Sequence, residues 1–446
     1  MASSVRKLAI QPDGNVVIAG SFGISRLTPT GTGDSGFNPG SGPNAEGAVS
    51  VAVQPDAKIL IGGSFTAVNG TNRLALARLH PNGSLDLSFN PDLASLVYYD
   101  PIPPQFGGEH STVVTAIRVQ ADGKVLAAGY TLTLVTAEET FAVSIRAFLV
   151  RFLANGNADP SFAPAIANAT DGESYWFYGW HFYPPSALAV QPDGQILLGG
   201  VFNSLNGTNR NGIARLNSNG TVDNSFVPAT ASYVRVSALA LQADGKVLAG
   251  GGYFGTVNGT NTYGITRFHA NGSYDAAFNT GTGTGGGSQV VSVALQPDGK
   301  VLIAGSFTNF NGTSRNGLAR LNANGSLDGG FNPGAGAKGI SSIALQSDGR
   351  ILIGGGFLTY NGVLRPFVAR LLGDSPWPVL SPARSGGSLS LTWPMTALNF
   401  QLQESTNLAL ASAWSPVAQT PVTDGPQQSV SVSTGGERKF FRLESQ

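Results

Sequence analysis

Acidic and imidazole side chains between residues 91 and 186 are the first candidates for chemistry. Paired carboxylates can act as general acid and base on a glycosidic bond, and histidine transfers protons near neutral pH. The candidates are Asp100, Glu109, His110, Glu138, Glu139, Asp171, Glu173 and His181. One hypothesis is therefore a glycan-active enzyme, a lyase or hydrolase. Its acidic site would be formed by Glu109, Glu138, Glu139, Asp171 and Glu173. Solvated loop charges are the alternative that we favour.

A run of aromatic residues lies in the same part of the chain. Aromatic rings on surface loops stack on sugar rings, peptides and other flat apolar ligands. The alternative is that the run folds down as a plug over the centre of the molecule, and the sequence favours neither reading. The predicted ligand-binding residues are Tyr175, Trp176, Tyr178, Trp180, His181, Tyr183, Glu109 and Glu173.

Composition excludes several classes of function. The chain contains no cysteine and no motif with metal-ligand spacing, so we expect neither a metal nor a cofactor. Lys+Arg and Asp+Glu both number 26, and no basic run attracts nucleic acid. No stretch of about 18 apolar residues occurs, so we expect no membrane insertion. The 60 Gly and 26 Pro are typical of many short strands joined by tight turns.

The candidate residues interrupt a sequence that is repeated seven times. The copy that begins at Gln296 has a Gln-x-Asp-Gly turn, an apolar run, an Asn-Gly pair that we interpret as a turn, a second apolar run ending in Ala-Arg-Leu and a final turn, and the other copies vary this pattern. The copies begin at Gln11, Gln54, Gln120, Gln191, Gln242, Gln296 and Gln346. Each copy predicts four antiparallel strands, and a series of such units predicts a seven-bladed β-propeller. The apolar runs do not alternate with polar residues, which indicates strands buried on both faces.

Two details of the repeats are testable. Ala57 stands where the other copies of the first turn have glycine, so it should be strained there. A three-residue turn after the second apolar run of a copy would place the arginine of that run opposite an aspartate eight residues later. The six pairs are Arg26 and Asp34, Arg78 and Asp86, Arg151 and Asp159, Arg215 and Asp223, Arg267 and Asp275, and Arg320 and Asp328. We interpret them as structural cross-strand pairs rather than as a ring of ligand-binding residues.

The repeats resemble the delta-60 repeat family of bacterial propeller-like proteins over residues 5 to 372. The shared pattern is Q-x-D-G-K, G-G-x-F, N-G-x-x-R and A-R-L-x-x-x-G. The resemblance implies a propeller fold and frequent residence in exported or surface-associated proteins, with no general biochemical activity. The seventh copy lacks the pairing aspartate after Arg370. Either one blade therefore has three strands, or a terminus supplies the missing strand.

Three insertions interrupt the series: residues 91 to 111 between the second and third copies, 131 to 142 inside the third, and 164 to 186 between the third and fourth. In an antiparallel blade, the loop after the second strand and the crossover to the next blade lie on the same face. All three insertions belong to this class. We therefore expect them to meet on one loop face over blades 2 to 4, opposite the Gln-x-Asp-Gly turns.

The sequence changes character near residue 374. Four segments after this point alternate apolar and polar residues, which predicts a small antiparallel β-sandwich with Trp393 and Trp414 in its core. The predicted domains are a seven-bladed propeller at 1 to 373 and a sandwich at 374 to 446. The second segment looks like the terminal β-modules of exported bacterial proteins. This resemblance implies a secreted or cell-surface setting, although the sequence opens on a repeat strand without signal-peptide features.

The leading hypothesis is a non-enzymatic propeller scaffold. It would bind a glycan, a peptide or a surface partner through the loop face over blades 2 to 4. The glycan-active enzyme is the first alternative. The second is a structural spacer without a ligand.

Overall fold

The computed structural model describes most of the chain as strands and turns. The described residues are 4–44, 47–97, 107–137, 140–163, 165–168, 185–228, 230, 234–257, 260–372, 380–385, 387–394, 400–406, 414–424, 427–433 and 439–445. Within these ranges there is no helix, so the all-β prediction is confirmed.

Each of the seven repeats, numbered here 1 to 7 along the chain, forms a three-stranded antiparallel meander. The first strands are β1 (Val5–Ile10), β4 (Ala48–Val53), β9 (Gly107–Val119), β13 (Ala187–Val190), β18 (Val236–Leu241), β21 (Val290–Leu295) and β26 (Ile340–Leu345). The second strands are β2 (Val16–Gly20), β5 (Ile59–Gly63), β10 (Val125–Ala137), β14 (Ile196–Gly199), β19 (Val247–Val257), β22 (Val301–Gly305) and β27 (Ile351–Gly355). The third strands are β3 (Gly23–Leu27), β8 (Leu76–Leu79), β11 (Thr140–Phe152), β17 (Ile213–Leu216), β20 (Thr260–Phe268), β25 (Leu318–Leu321) and β30 (Val368–Leu371).

The predicted fourth strand is reduced to a single bridge, so the four-strand prediction is wrong for the described repeats. Leu321 pairs with Leu327 in the predicted register, but no further ladder follows. The reason is the aspartate that comes next. Asp328 accepts the backbone N–H of Gly330 on Oδ1 at 2.9 Å, and its own carbonyl accepts the N–H of Phe331 at 3.3 Å. These bonds turn the chain where a strand would have to stay extended.

Two-residue hairpins follow the second strand in four repeats. Their Asn-Gly pairs both have positive φ, for example 49° at Asn311 and 74° at Gly312, as a type I′ turn requires. The Asn-Gly motifs therefore encode turns, as predicted. The hairpins are β6 (Ala67–Val68) with β7 (Thr71–Asn72), β15 (Ser204–Leu205) with β16 (Thr208–Asn209), β23 (Asn309–Phe310) with β24 (Thr313–Ser314), and β28 (Thr359–Tyr360) with β29 (Val363–Leu364).

The hydrophobic core lies between neighbouring repeats. Val17 and Ile24 of repeat 1 pack with Val51 and Ile61 of repeat 2, and the same arrangement recurs between later repeats. The aromatic residue after the second strand is buried where a hairpin covers it, at Phe65, Phe202, Phe307 and Phe357. Phe22, the aromatic residue at this place in repeat 1, is 42% exposed. Repeat 1 joins β2 directly to β3 by a two-residue turn and has no additional hairpin between these strands.

The last repeat packs against the first through contacts that other neighbours also use. Ser341 donates its hydroxyl to the Val5 carbonyl, as Ser186 does to the Val236 carbonyl. The N–H of Leu8 donates to Ser342 Oγ at 3.1 Å, as Ile343 does to Ser292 Oγ at 3.0 Å. Val5, Leu8 and Leu352 share one apolar cluster. The series of repeats therefore closes on itself through side chains, and neither terminus adds a strand to another repeat among the described residues.

The contacts divide the chain into two compact units. The first contains the repeats, and the second contains residues 296–300, 345–351 and 371–446. In the second unit, Leu391, Trp393 and Val430 of one sheet share an apolar cluster with Leu402 and Leu443 of another. The four-stranded sheet contains β31 (Ser381–Ser385), β32 (Ser388–Pro394), β35 (Val422–Asp424) and β36 (Gln427–Ser433), and the three-stranded sheet contains β33 (Phe400–Ser405), β34 (Ser415–Pro416) and β37 (Phe440–Ser445).

Candidate functional site at the insertions of repeats 3 and 4

A segment of each of the three insertions belongs to one six-stranded sheet, called here the insertion sheet. Its strand order is β16, β15, β12 (Ala165–Asn168), β11, β10 and β9. Strand β9 carries the end of the first insertion, the β10–β11 hairpin contains the second, and β12 contains part of the third. The sheet also joins repeat 3 to the hairpin of repeat 4, because Ala167 pairs with Leu205. The three insertions are therefore brought together in the fold.

The second insertion extends a hairpin rather than forming a loop. Strands β10 and β11 have 13 residues each, whereas β22 and β25 of repeat 6 have 5 and 4. At 3.3 Å per residue, the extra length amounts to roughly 26 Å. Val125 pairs with Val119 beside the Gln-x-Asp-Gly turn, and Ala137 pairs with Thr140 at the far end. The extension therefore projects away from these turns, on the side that strand polarity predicts.

One face of the extension carries a polar row. Thr131 lies opposite Thr112 and Arg146, and Thr133 lies opposite His110, so these side chains share a face. His110 Nδ1 and Thr133 Oγ1 are 3.0 Å apart. Thr112, Thr131 and Thr133 are buried, which is unusual for hydroxyl-bearing residues in a projecting hairpin. A buried row of this kind holds the hairpin in one orientation through hydrogen bonds.

Of the predicted ligand-binding residues, the structure describes Glu109. It is exposed on β9, opposite Leu134 of β10. The other predicted residues lie outside the described residues: Tyr175, Trp176, Tyr178, Trp180, His181, Tyr183 and Glu173. The same is true of the acidic candidates Asp100, Glu138, Glu139 and Asp171. Within the described part of the chain, no three His, Asp or Glu side chains are grouped closely enough to bind a metal ion.

Sequence reasoning missed the buried threonines and Arg146. The signal was present, because Thr131-Leu132-Thr133-Leu134 alternates polar and apolar residues as a strand does. Interpreting residues 131 to 142 as an insertion loop concealed this alternation.

The arginine–aspartate pairs form in the predicted register, and their arginines make further contacts that the register alone does not predict. Arg78 Nε donates to Asp86 Oδ2 at 2.8 Å, with side-chain exposures of 6% and 2%. The same arginine donates through Nη1 to the Ala154 carbonyl of repeat 3 at 2.6 Å, and its guanidinium lies 4.5 Å from the centre of the Phe89 ring. Burial raises the pKa of Asp86, but hydrogen bonds from Ser88 and Arg78 outweigh this and hold it well below its usual range. Arg26, Arg151, Arg215 and Arg267 make the same contact with a carbonyl of the next repeat, so five of the six pairs join their own turn to the repeat that follows.

The remaining pairs follow the same geometry, with Nε to Oδ2 distances of 2.7–2.8 Å. In the seventh repeat, where the sequence has Pro378 at the position of the aspartate, Arg370 Nη1 donates to the Pro29 carbonyl of repeat 1 at 2.7 Å. Arg370 therefore keeps the hydrogen bond to the neighbouring repeat although its sequence position for the aspartate is changed. This geometry explains the six pairs without a ligand.

Seven segments of the chain match the model of a family described as a domain of unknown function (DUF5122), β-propeller. They are residues 11–37, 54–89, 120–162, 191–226, 242–278, 296–331 and 346–375, which make up more than half of the 446 residues. The chain belongs to this family. The family contains the repeats and their turns, whereas residues 91–111 and 164–186 fall between its segments. A search among curated proteins found no match.

Several solved structures resemble this family member at low sequence identity. A protein of unknown function from Bacteroides caccae is 14% identical, with a TM-score of 0.27, over 61% of this chain and 80% of that one. A gluconolactonase from Xanthomonas campestris is 14% identical, with a TM-score of 0.33, over 68% and 84%. The extracellular domain of a putative one-component system from B. thetaiotaomicron is 12% identical, with a TM-score of 0.24, over 98% and 61%. The family match therefore carries the assignment of the repeats to a β-propeller.

Proposed function

We propose that this protein is a non-enzymatic β-propeller scaffold that binds a glycan, a peptide or a surface partner through the insertion sheet and the segments attached to it. The observation that carries the proposal is the gathering of three insertions into one sheet that projects from repeat 3. Segments displayed on a rigid scaffold commonly carry binding function. Residues 175 to 183 lie within the third insertion, and their aromatic side chains would supply the contact area.

The chemistry of the described carboxylates also favours binding over catalysis. The aspartates with lowered pKa values are Asp34, Asp86, Asp159, Asp223 and Asp275, and all five are partners of an arginine in the repeats. Their hydrogen bonds explain the shifts through the architecture alone. Glu109 is exposed and lies on the projecting strand, where it suits recognition of a polar ligand.

The binding proposal is tested with the full chain on a glycan array and on an immobilised peptide library. A ligand from either source should lose at least tenfold in affinity with Trp176→Ala and Trp180→Ala. Phe22→Ala is the matched control, because it removes an exposed aromatic ring outside the insertions. Unchanged binding by both tryptophan variants would remove the aromatic run from the proposal. Conversion of a bound glycan into products would replace binding with the glycan-active enzyme.

The second compact unit is proposed to be a small β-sandwich that follows a propeller domain ending near residue 373. Two antiparallel sheets with a shared apolar cluster support this arrangement. A secreted or cell-surface setting is proposed with it, on the resemblance of both segments to exported bacterial proteins. No helix in the described ranges has the length and apolarity to cross a membrane.

A further inference from the structure

Repeat 5 contains one residue more than repeat 6 after the second strand, and this residue is a tyrosine. Gly252 and Ser306 are equivalent, because the N–H of each donates to the carbonyl of the residue that precedes the first strand, at 3.1 and 2.9 Å. Phe254 and Phe307 are equivalent too, since both rings are fully buried. In repeat 6 the phenylalanine follows the serine at once. Tyr253 is therefore the extra residue of repeat 5.

The extra residue is accommodated as a β-bulge. The pairing of β19 with β20 shifts its register on both sides of Tyr253, which itself pairs with Tyr263. A bulge re-aims the side chain that it contains, and bulges are common beside functional sites. The Tyr253 side chain is 39% exposed. The added residue therefore enlarges the surface of repeat 5 rather than its core.

The pairing partner of Tyr253 is also particular to repeat 5. Tyr263 directly precedes a residue with positive φ, and at this place repeats 2, 4, 6 and 7 have Leu74, Asn211, Asn316 and Pro366. The two tyrosine ring centroids are 5.1 Å apart and the ring planes are inclined by 38°, which is typical of aromatic rings in contact. The Tyr253 hydroxyl donates to Asn261 Oδ1 at 3.3 Å. The two rings form one aromatic surface, called here the tyrosine platform.

A segment without side chains borders the tyrosine platform. Residues 285–287 are three consecutive glycines. A Cβ atom on Gly286 would lie 3.9 Å from Tyr263 Cε1, and a Cβ atom on either neighbouring glycine would meet no atom within 4 Å. The segment is attached to the platform, because the N–H of Thr284 donates to the Tyr263 carbonyl at 3.4 Å. The space beside the Tyr263 ring is therefore open, and a ligand can approach the backbone closely there.

The platform and its border carry no charge. Residues 251–264 and 280–289 contain no Asp, Glu, Lys or Arg, whereas they contain Thr, Asn, Ser and Gln. The tyrosine rings offer flat apolar contact area, and their hydroxyls and the Asn261 amide offer hydrogen-bond partners. A charged ligand would find no opposite charge in these segments. A neutral sugar ring matches this chemistry, because it has C–H groups on its faces and hydroxyls around its edge.

We propose that the tyrosine platform is a carbohydrate-binding site, which stacks a neutral sugar ring against Tyr253 and Tyr263. The site lies on repeat 5, whereas the insertion sheet contains strands of repeats 3 and 4. It shares no strand with that sheet, so it stands whether or not the proposed function does.

The test is native electrophoresis of the full chain through gels that each contain one neutral polysaccharide: hydroxyethylcellulose, xyloglucan, galactomannan, laminarin or amylopectin. The protein carries Trp176→Ala and Trp180→Ala, so that the aromatic run of the third insertion does not contribute. At least one polysaccharide should slow this protein relative to serum albumin. No retardation by any of the five would overturn the proposal. Retardation by anionic polygalacturonate alone would also overturn it.

Further variants in the same background locate the site. Tyr253→Ala and Tyr263→Ala should each weaken the binding by about tenfold, because each removes one ring of the platform. Tyr253→Phe keeps the ring and should retain most of the binding. Phe22→Ala is the matched control, because it removes a ring of similar exposure, 42%, from repeat 1. Retardation that persists in both alanine variants would overturn the proposal.

Gly286→Leu tests the site without removing either ring. Its side chain would occupy the open space beside Tyr263, so the retardation should be lost. Gly329→Leu is the matched control, since neither glycine has a positive φ and a Cβ atom on Gly329 would meet no atom within 4 Å. This comparison remains decisive if a tyrosine variant fails to fold. Equal retardation of Gly286→Leu and Gly329→Leu would contradict the proposed position of the sugar.

Discussion

Replacing Ala57 with glycine should stabilise the protein. Ala57 has a φ of 63°, in the left-handed region, while glycine occupies the equivalent position of the other six turns with φ between 76° and 84°. An L-residue in this region costs about 1–2 kcal/mol. Glycine removes this cost but adds about 0.4–1 kcal/mol through the greater entropy of the unfolded chain. The expected net gain is therefore about 0.5–1 kcal/mol.

The substitution leaves the hydrogen bonds of the turn in place. The Ala57 N–H donates to the Gln54 carbonyl at 2.9 Å, and the Ala57 carbonyl accepts Gln11 Nε2 at 3.0 Å. Both are backbone groups that glycine also has. The difference between the two proteins is therefore confined to backbone strain and unfolded-state entropy.

Gly245→Ala is the mirror-image control. A Cβ on Gly245 would come no closer than 3.9 Å to Ala270 Cβ, so its φ of 82° is the main cost. This variant should lose about 0.5–1 kcal/mol by the same two terms. Urea unfolding measures both, as shifts of the midpoint in opposite directions with an unchanged slope. A neutral or destabilising Ala57→Gly, beside a destabilising Gly245→Ala, would refute the strain argument for repeat 2.

Two further predictions concern charge and pH. Asp86→Ala should lower the unfolding free energy by about 3–5 kcal/mol, because it leaves Arg78 buried without its partner. Asp34→Ala should lower it less, because its side chain and that of Arg26 are more exposed, at 17% and 10%. Urea unfolding of both variants at pH 7 measures the difference, and equal losses would contradict the prediction. Hydrogen bonds hold the pKa of Asp86 below its unfolded value of 3.8, so the stability that its carboxylate contributes is present above pH 3.8 and is lost as the pH falls further. The unfolding free energy of Asp86→Ala should therefore depend less on pH below 4 than that of the wild type. Burial raises the pKa of Tyr360 from 10.0 to about 12, so the stability that depends on its protonated hydroxyl should fall between pH 10 and 12. Tyr360→Phe should lower stability at pH 8 by about 1 kcal/mol, since its hydroxyl donates to the Pro333 carbonyl at 2.9 Å, and should reduce the alkaline loss; an unchanged alkaline profile would contradict the assignment.

The local chemistry of the repeats could be predicted because each turn depends on neighbouring residues. The position of Ala57, the Asn-Gly turns and the pairing of Arg320 with Asp328 all follow from the residues within one turn. The absence of a fourth strand could not be predicted. The hydrogen bonds of Asp328 that form a turn compete with strand pairing, and the pattern of apolar residues does not show which of the two is more stable. The exposure of Phe22 depends on a hairpin that repeat 1 lacks.

For the insertions, the side of the molecule could be predicted, but the local structure was not. Strand polarity was enough to predict their common side, because it follows from the order of strands in an antiparallel meander. Their internal structure was not predicted, because residues 131 to 142 were interpreted as a loop although Thr131-Leu132-Thr133-Leu134 alternates as a strand does.

The contact between Arg370 and Pro29 has a consequence for how such a protein can change over evolutionary time. An open array of repeats can gain or lose a copy at either end, because each copy contacts only its neighbours and a polar cap covers the last one. Here repeat 7 meets repeat 1 through the contacts that other neighbours use. Duplication of one copy would therefore require a new angle at every interface, whereas insertions between copies leave the interfaces unchanged. New sequence is consequently expected to accumulate between the repeats, and their number is expected to stay at seven.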